Sequence, residues 1–386
     1  MKYELACSSW DSKEIDAIKQ VIDSDMFTMG KNVKQFESDF AKYTKHKYCV
    51  MVNSGSSANL LAIAALFYKK ENPLKKGDEV IVPAVSWATT YYPLYQYGLK
   101  IKFVDVDLDS LNFKIDDLKK AVTDKTRLIF SVNLLGNSND FDAIKDIIGD
   151  KNIYLLEDNC EALGGEYNNK PLGSIGLMGT YSTFFSHHMS TMEGGVIGTD
   201  DEELYHILLS IRSHGWTRHL PFKNKICEKS NDPFAESFRF ILPGYNVRPI
   251  EMMGAIGIEQ LKKLPSFIAA RRDNAEYFKK LFENDDRFII QKEIGKSSWF
   301  GFSFVIKDKN IDRSDVLNLL RKADIDTRPI VAGNFARKEV VNWFDYEIIG
   351  DLKNADYIDA HGFFVGNHQF DIKDKIDYLK DILSNI

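Results

Sequence analysis

Cysteine is scarce in this sequence, with four residues in a chain of 386: Cys7, Cys49, Cys160 and Cys227. They lie far apart, and none belongs to a Cys-x-x-Cys pair. Such spacing suggests neither a disulfide framework nor a zinc or iron–sulfur cage. We expect the four thiols to be small packing residues.

Long apolar runs are also missing. The longest, Leu60 to Tyr68, has about half of the ~18 residues that a membrane-spanning helix requires. The N-terminal segment has no apolar stretch of signal-peptide length, and Glu4 would interrupt one. The expectation is a protein of the cytoplasm that does not insert into a membrane.

The sequence has no excess of positive charge. Its net charge is −6 and its pI is near 5.8, so no nucleic-acid partner is expected, while a local basic pocket for a diphosphate stays compatible with these values.

The length exceeds the ~250–300 residues that a single core supports. We expect a large domain with an N-terminal arm over residues 1–248, and interdomain helices with a small C-terminal domain over residues 249–386.

Strands and helices alternate along the first half of the chain. Apolar runs predict strands over 48–52, 79–83, 102–106, 128–133 and 153–156, and helices over 58–70, 89–97, 115–122 and 141–148. This alternation predicts an α/β fold with a mostly parallel, doubly wound sheet, whose ligands gather outside the carboxyl ends of the strands. Further on, two helices are predicted on either side of Pro265, because proline breaks a helix interior, and a small α+β domain follows them.

Polar residues follow two of these strands. The segment Asn53-Ser54-Gly55-Ser56-Ser57 stands between a strand and a helix, where backbone N–H groups and hydroxyls can hold a phosphate. A plain Ser N-cap would look the same, and the spacing matches neither a Walker A loop nor a dinucleotide-binding motif. Asp158 closely follows the apolar run of the strand at 153–156, where a carboxylate is costly unless it meets a positive partner.

The segment from Gly179 to Gly195 carries two adjacent histidines. Residues 179–185 are rich in β-branched and aromatic side chains and predict a buried strand, and Gly194-Gly195 ends the irregular stretch that follows. His187 and His188 therefore stand at a strand-to-loop edge, either as ordinary polar residues or as catalytic groups.

This segment resembles the sugar aminotransferases of the DegT/StrS family, in which a Ser, the Lys that binds pyridoxal phosphate, and Glu-Gly-Gly or Asp-Gly-Gly follow at a typical spacing. Here Ser182 precedes His187 by five residues, and Glu193 follows His187 by six. Ser-Gly-Ser at 54–56, Glu-Asp-x-x-x-Ala at 157–162 and the segment 243–249 match the same family. The resemblance extends over nearly the whole chain and implies the fold-type I fold of pyridoxal-phosphate-dependent transferases.

The resemblance also implies roles for individual residues. Seven of them match positions that contact the cofactor in this family: Gly55, Ser56, Trp87, Asp158, Glu161, Ser182 and Asn246. Asp158 would meet the ring nitrogen, Trp87 the ring face, and Glu161 the surroundings of the 3′-oxygen. Asn246 lies in the segment that family members lend to their neighbour's site, so a homodimer with shared sites is implied.

A lysine is missing at the position of His187, and none occurs between Lys170 and Lys223. Histidine cannot hold pyridoxal or pyridoxamine 5′-phosphate covalently, but it can move protons at neutral pH. The resemblance implies a lyase with a non-covalent cofactor and His187 as its catalytic base. It would remove the C3 hydroxyl of GDP-4-keto-6-deoxy-D-mannose in colitose biosynthesis, with L-glutamate as amino donor and with release of ammonia and 2-oxoglutarate.

Several alternatives compete with this interpretation. An aminotransferase would need a lysine near residue 187, and a two-component CDP-sugar dehydratase would need cluster-binding cysteines. A protein that binds the cofactor or sugar without turnover is a third possibility. His188 competes with His187 for the role of the base, although the spacings to Ser182 and Glu193 favour His187.

Six further residues are candidates for binding the sugar nucleotide: Met26, Phe27, Arg218, Arg248, Arg328 and His368. Met26 and Phe27 could equally belong to the core, and Arg328 and His368 could lie on a solvated surface. Arg218 belongs to the polar stretch 215–243, whose length in a compact protein is typical of functional loops.

Overall fold

The computed structural model describes all residues from 1 to 386. Its strands are β1 (Tyr48–Val52), β2 (Glu79–Pro83), β3 (Lys100–Val104), β4 (Thr126–Val132), β5 (Tyr154–Asp158), β6 (Glu166–Tyr167), β7 (Lys170–Pro171), β8 (Met178–Ser182), β9 (Gly195–Thr199), β10 (Phe288–Ile290), β11 (Gly301–Ile306), β12 (Thr327–Arg328), β13 (Tyr346–Ile348) and β14 (Gly362–Gly366). Its α-helices are α1 (Ser12–Asp23), α2 (Lys31–Thr44), α3 (Gly55–Phe67), α4 (Ala88–Gln96), α5 (Ile115–Ala121), α6 (Phe141–Ile148), α7 (Glu202–Ile211), α8 (Pro233–Glu236), α9 (Glu251–Phe282), α10 (Arg313–Lys322), α11 (Lys353–His361) and α12 (Lys373–Leu383).

Eight strands form the large sheet, in the order β1-β9-β8-β5-β4-β2-β3-β13. All pairs in it are parallel except that β9 runs antiparallel to both β1 and β8. The central strands are buried on both faces, which explains why they read as continuous apolar runs. The predicted α/β class with a mostly parallel, doubly wound sheet is confirmed. The division at residues 248 and 249 stays a prediction, and β13 brings a C-terminal segment into the large sheet.

Strands β1, β2, β4, β5 and β8 all run in one direction, so their carboxyl ends meet at one edge of the sheet. The segments with Ser54, Trp87 and Asn133 follow three of these ends, and Asp158 and Ser182 are the last residues of the other two. Ligands of such sheets bind at this edge. The topology therefore collects the polar residues that the sequence had placed on separate strands.

The small sheet is antiparallel, with the order β10-β11-β14-β12. The end of α9 packs on it through aromatic side chains, and Phe278 stacks on Phe302 with ring centroids 4.3 Å apart. The N-terminal arm, expected with the large domain, attaches to this small unit: Tyr3 is fully buried, forms a bridge with Ile325 and donates from its hydroxyl to the Gly366 carbonyl at 2.6 Å. The arm thus reaches the far part of the chain.

Helix α9 runs without interruption through Pro265, so the predicted break there is wrong. Proline removes one helical hydrogen bond, but Leu264 and Ile268 on either side of it are buried in one cluster with Phe36 and Phe40 of α2. Packing on both sides of the proline therefore holds the two halves in one helix. No helix of the structure has the length and apolar character needed to span a bilayer.

Replacing the exposed Pro265 with alanine should stabilise the protein, because alanine restores the missing N–H donor without removing any packing. We expect the free energy of unfolding to rise by about 1–3 kcal/mol, measured by urea denaturation. The exposed neighbour Ser266→Ala is the matched control and should change it by less than about 0.5 kcal/mol. A fall in stability on Pro265→Ala would contradict this account of the helix.

Candidate active site

A cavity of about 790 Å³ lies at the carboxyl edge of the large sheet. Eight of the predicted site residues line it: Gly55, Ser56, Trp87, Asp158, Glu161, Ser182, His187 and Arg328. The small unit and the N-terminal arm complete its wall through Phe300, Phe364 and Leu5. Residues from distant parts of the sequence thus converge on one cavity.

The start of α3 forms one end of the cavity. The helix begins at Gly55 rather than at the predicted residue 58, because the Ser54 side chain accepts a hydrogen bond from the Ser57 amide at 3.0 Å and so caps it. The Gly55 and Ser56 amides have no partner in the chain. A Cβ at Gly55 would lie 2.7 Å from the Ser182 Cβ, so only glycine lets β8 approach this closely. Free amides at a helix N-terminus are suited to hold an anion.

The second glycine of the Glu-Gly-Gly motif, Gly195, stands where a side chain would not fit. A Cβ at Gly195 would lie 2.2 Å from the Ser54 carbonyl oxygen, so a side chain at the start of β9 would displace the cap of α3. The motif therefore packs directly against the N-terminus of α3, where the free amides of Gly55 and Ser56 lie.

Asp158 lies at the end of β5 with 5% of its surface exposed. Its Oδ2 accepts hydrogen bonds from Asn59 Nδ2 at 2.8 Å and from Thr90 Oγ1 at 2.7 Å, and its Oδ1 accepts one from the Cys160 amide at 3.2 Å. These donors fix the carboxylate while it borders the cavity. It is placed to meet a positively charged group, as the sequence indicated.

The sequence did not indicate that Asn59 and Thr90 belong to the site. Each occupies a buried position in a helix that starts at the cavity, α3 and α4 respectively. The signal that could have revealed Asn59 is its position as a single amide within the apolar stretch of α3. A buried amide needs partners, and Asn59 has them on both sides, because its Oδ1 also accepts from Thr180 Oγ1 at 2.6 Å.

The two histidines have different surroundings. His187 borders the cavity, and its ring lies 5.2 Å from that of Phe300 and 5.9 Å from that of Phe184. Its Nδ1 is buried without a partner, so Nε2 is the nitrogen that remains accessible from the cavity. Burial, and secondarily the charge of Arg271, lowers the pKa of His187 to about 4. At neutral pH the ring is therefore an unprotonated base.

His188 is buried and does not border the cavity. Its Nε2 donates to the Ser298 carbonyl at 3.2 Å. The geometry therefore favours His187 over His188 as the group that meets a ligand.

Glu161 stands beside these groups with its Oε2 bonded to the Leu135 amide at 3.0 Å. Burial raises the pKa of Glu161 to about 7, and the charge of Asp158 adds to this rise, whereas the Leu135 amide opposes it. The site thus contains a second group that can exchange protons near neutral pH. Trp87, by contrast, precedes α4 with more than half of its surface exposed and so presents an open ring to the cavity.

Six predicted residues do not border this cavity: Met26, Phe27, Arg218, Asn246, Arg248 and His368. Asn246 is exposed and accepts a hydrogen bond from Arg248 Nε at 3.0 Å. Arg218 is exposed, with its guanidinium 5.1 Å from the ring centroid of Trp216. Their roles in binding stay predictions.

His368 is buried between the small sheet and the N-terminal arm. Its Nε2 donates to the Glu4 carbonyl at 2.9 Å, and its Nδ1 lies 3.1 Å from Cys7 Sγ. These contacts give it a structural position, and its predicted contact with substrate has no support in the geometry.

The sheet order, the helix N-terminus beside β1 and the carboxylate at the end of β5 define a fold-type I α/β protein. The sequence profile of the DegT/DnrJ/EryC1/StrS aminotransferase family matches residues 8–374, and the chain belongs to this family.

The chain is also similar to individual members of this family and to solved structures. The chain is 60% identical over 386 residues to the GDP-4-keto-6-deoxy-D-mannose 3-dehydratase of Escherichia coli O55:H7, with 99% of this chain and 100% of the relative covered. It is 59% identical to a mutant of GDP-4-keto-6-deoxymannose-3-dehydratase (ColD) with bound GDP-perosamine, with a TM-score of 0.98 and coverage of 99% and 100%. The same dehydratase with a trapped PLP-glutamate geminal diamine has the same identity, TM-score and coverage.

The buried His368 should make stability depend on pH. Burial lowers the pKa of His368 to about 4, so between about pH 6.5 and pH 4 the unfolded chain binds a proton that the folded chain excludes. This contribution is complete above pH 6.5 and is lost as the pH falls toward 4. We expect His368→Gln to reduce the loss of unfolding free energy between pH 7 and pH 4.5 by about 2 kcal/mol.

Urea denaturation at a series of pH values measures this difference as a change in slope, which is independent of any constant loss of stability. Gln369→Ala, which removes a neighbouring contact to Cys7 but keeps the histidine, is the control and should leave the slope unchanged. Parallel curves for the wild type and His368→Gln would contradict the assignment.

Proposed function

We propose that this protein removes the C3 hydroxyl of GDP-4-keto-6-deoxy-D-mannose, with non-covalent pyridoxal or pyridoxamine 5′-phosphate as cofactor and L-glutamate as amino donor. The observation that carries the proposal is that His187 borders the cavity at the place where the family has its lysine. A relative that is 60% identical along its full length is named for this activity. The structures with GDP-perosamine and with a PLP-glutamate adduct support the nucleotide, the cofactor and the donor.

The residues of the cavity fit the cofactor. The free amides of Gly55 and Ser56 suit its phosphate, and the fixed carboxylate of Asp158 suits its protonated ring nitrogen. Trp87 offers an exposed ring for stacking. When bound, the cofactor supplies an amino group that condenses with the C4 ketone and a conjugated ring that accepts electrons while the C3–O bond breaks.

His187 moves the protons. Its low pKa keeps the ring neutral at neutral pH, and in the tautomer with the proton on Nδ1 the cavity-facing Nε2 can accept a proton. The same low pKa makes the protonated ring a strong acid, which favours transfer of that proton to the departing C3 hydroxyl. One side chain can therefore act first as base and then as acid.

The overall reaction balances without an external reductant. Glutamate loses two electrons and its amino group and becomes 2-oxoglutarate, while C3 of the sugar gains a hydrogen in place of its hydroxyl. The water that leaves C3 balances the water that hydrolysis consumes, so the products are the 4-keto-3,6-dideoxy sugar, 2-oxoglutarate and ammonia. We place this reaction in the cytoplasm, where the four free thiols of the chain are compatible with a reducing environment.

We also propose that two copies of the chain share their sites. Arg328 is the one basic side chain that borders the cavity apart from His187, against four carboxyl groups: Asp158, Glu161, Glu193 and Asp326. A cofactor phosphate and a sugar diphosphate need more positive charge than this. Arg218 and Arg248 form no ion pair within the chain.

The stretch that contains Arg218 also exposes four aromatic side chains: Phe222, Phe234, Phe238 and Phe240. Two of them, Phe238 and Phe240, stack on Trp216, over whose ring the Arg218 guanidinium lies. A surface of this kind suits a second copy that buries the aromatic rings and receives the positive charge. The proposal is therefore a homodimer in which residues 214–248 of each copy complete the cavity of the other.

Purified protein with the cofactor, L-glutamate and the GDP-linked ketosugar should yield a sugar nucleotide that is lighter by one oxygen atom and contains no added nitrogen. Mass spectrometry measures this product, together with equal amounts of 2-oxoglutarate and ammonia. An amino sugar would instead indicate an aminotransferase, and an unchanged sugar would favour a binding protein.

His187→Asn should lower the rate by about 100-fold or more, because a general base contributes on that order. His188→Asn is the matched control, and it should retain activity within about tenfold because His188 faces the Ser298 carbonyl and not the cavity. A greater loss in the control than in His187→Asn would reverse the assignment.

Shared sites predict complementation between inactive variants. Subunit exchange between His187→Asn and Asn246→Ala should give mixed dimers with one intact site, and recovery of about a quarter of the wild-type rate after random exchange. His187→Asn mixed with Asp158→Asn should recover nothing, since both residues belong to the same chain's part of the cavity. No recovery in the first mixture, with exchange verified by native mass spectrometry, would count against composite sites.

A further inference from the structure

Arg271 on α9 is a buried cation without a counter-ion. Its exposed fraction is 4%, and no carboxylate acts on its charge. Its Nη1 donates to the carbonyls of Phe300 at 3.1 Å and Asn367 at 2.7 Å, while its Nε has no partner. Burial lowers the pKa of Arg271 to about 10, so it stays charged at neutral pH. An uncompensated buried charge is costly for folding, which calls for a reason.

Phe300 connects Arg271 to the active site. Its carbonyl accepts from Arg271, its amide donates to the Leu135 carbonyl at 3.0 Å, and its ring borders the cavity. That ring lies 5.2 Å from His187 and 5.6 Å from His188. The backbone of Phe300 is therefore fixed on both sides while its ring supports the two histidines.

His187 depends on such support because no hydrogen bond orients its ring. A catalytic histidine is commonly held by an acceptor on its second nitrogen, but here Nδ1 is buried without a partner. The contacts with Phe184 and Phe300 remain to set the direction of the ring.

The charges around His187 differ between its two sides. Asp158, Glu161, Glu193, Asp326 and Arg328 share the cavity with it. Behind it, the charge of Arg271 acts on both His187 and His188, whereas that of Arg272 acts on His188 alone. Of all these groups, Arg271 is the one whose charge shifts the pKa of His187, which it lowers.

We propose that Arg271 is a positioning residue for the proton transfer: it fixes the Phe300 backbone that supports the His187 ring, and its uncompensated charge disfavours a proton on that ring. This inference rests on the proposed role of His187 as the base. This role explains why Arg271 is buried without a counter-ion, because a carboxylate partner would cancel the effect of its charge on His187.

Three variants separate charge from hydrogen bonding. Arg271→Gln keeps a donor for the carbonyls but removes the charge, Arg271→Lys keeps the charge, and Arg272→Gln removes a neighbouring arginine that lies 3.8 Å from the Glu166 carboxylate. NMR of histidine-labelled, cofactor-free protein reads the pKa of His187, whose resonance is assigned from its absence in His187→Asn. We expect a rise of at least about half a unit in Arg271→Gln and no comparable rise in Arg271→Lys or Arg272→Gln.

The loaded enzyme gives a second readout. The acid limb of kcat/KM should move to higher pH in Arg271→Gln and stay in place in Arg271→Lys. A folded Arg271→Gln protein with an unchanged His187 pKa would overturn the proposal, even if its stability fell. The NMR measurement needs no turnover, so it remains decisive if the chain makes no deoxy sugar.

If Arg271→Gln does not fold, Phe300→Leu tests the positional part. Leucine keeps apolar volume but not the aromatic contacts with His187, so kcat should fall by about tenfold or more while KM changes little. An unchanged kcat in that variant would overturn the proposed support of the ring.

Discussion

The hydrogen-bonded carboxylate of Asp158 is the interaction on which the rest of the site depends. A buried carboxylate needs fixed donors, and here they come from α3 through Asn59 and from α4 through Thr90. The N-terminus of α3 carries the free amides of Gly55 and Ser56, and Trp87 stands before α4. The bonds that satisfy Asp158 therefore also set the positions of these amides and of the Trp87 ring relative to the carboxylate.

Histidine in place of the family's lysine changes what this framework must do. Without a covalent link, we expect the proposed contacts around Gly55, Asp158 and Trp87 to retain the cofactor. In the proposed mechanism, the side chain at residue 187 stays free to transfer protons. Lysine at this position would be consumed in binding the cofactor, whereas the unprotonated His187 holds no bond that must break before the sugar reacts.

Local patterns predicted much of this site. Polar residues directly after an apolar strand, such as Ser-Gly-Ser or Asp158, indicate that the carboxyl edge of the sheet is polar. What the sequence could not predict depends on contacts between distant segments. Packing of α2 keeps α9 intact through Pro265, and the N-terminal arm encloses His368. The role of Arg271 could not be predicted for the same reason, because its partners Phe300 and Asn367 lie far from it along the chain.

The charge distribution explains why burial of His187 matters. Carboxyl groups dominate the cavity, and in an open, solvated site they would draw a proton onto the histidine. The pKa of His187 is lowered chiefly by desolvation, with Arg271 acting in the same direction. A bound sugar nucleotide would exclude more water and strengthen this desolvation, whereas the negative charge of its diphosphate would act in the opposite direction. In the proposed mechanism, desolvation of His187 therefore matters most while the substrate is bound.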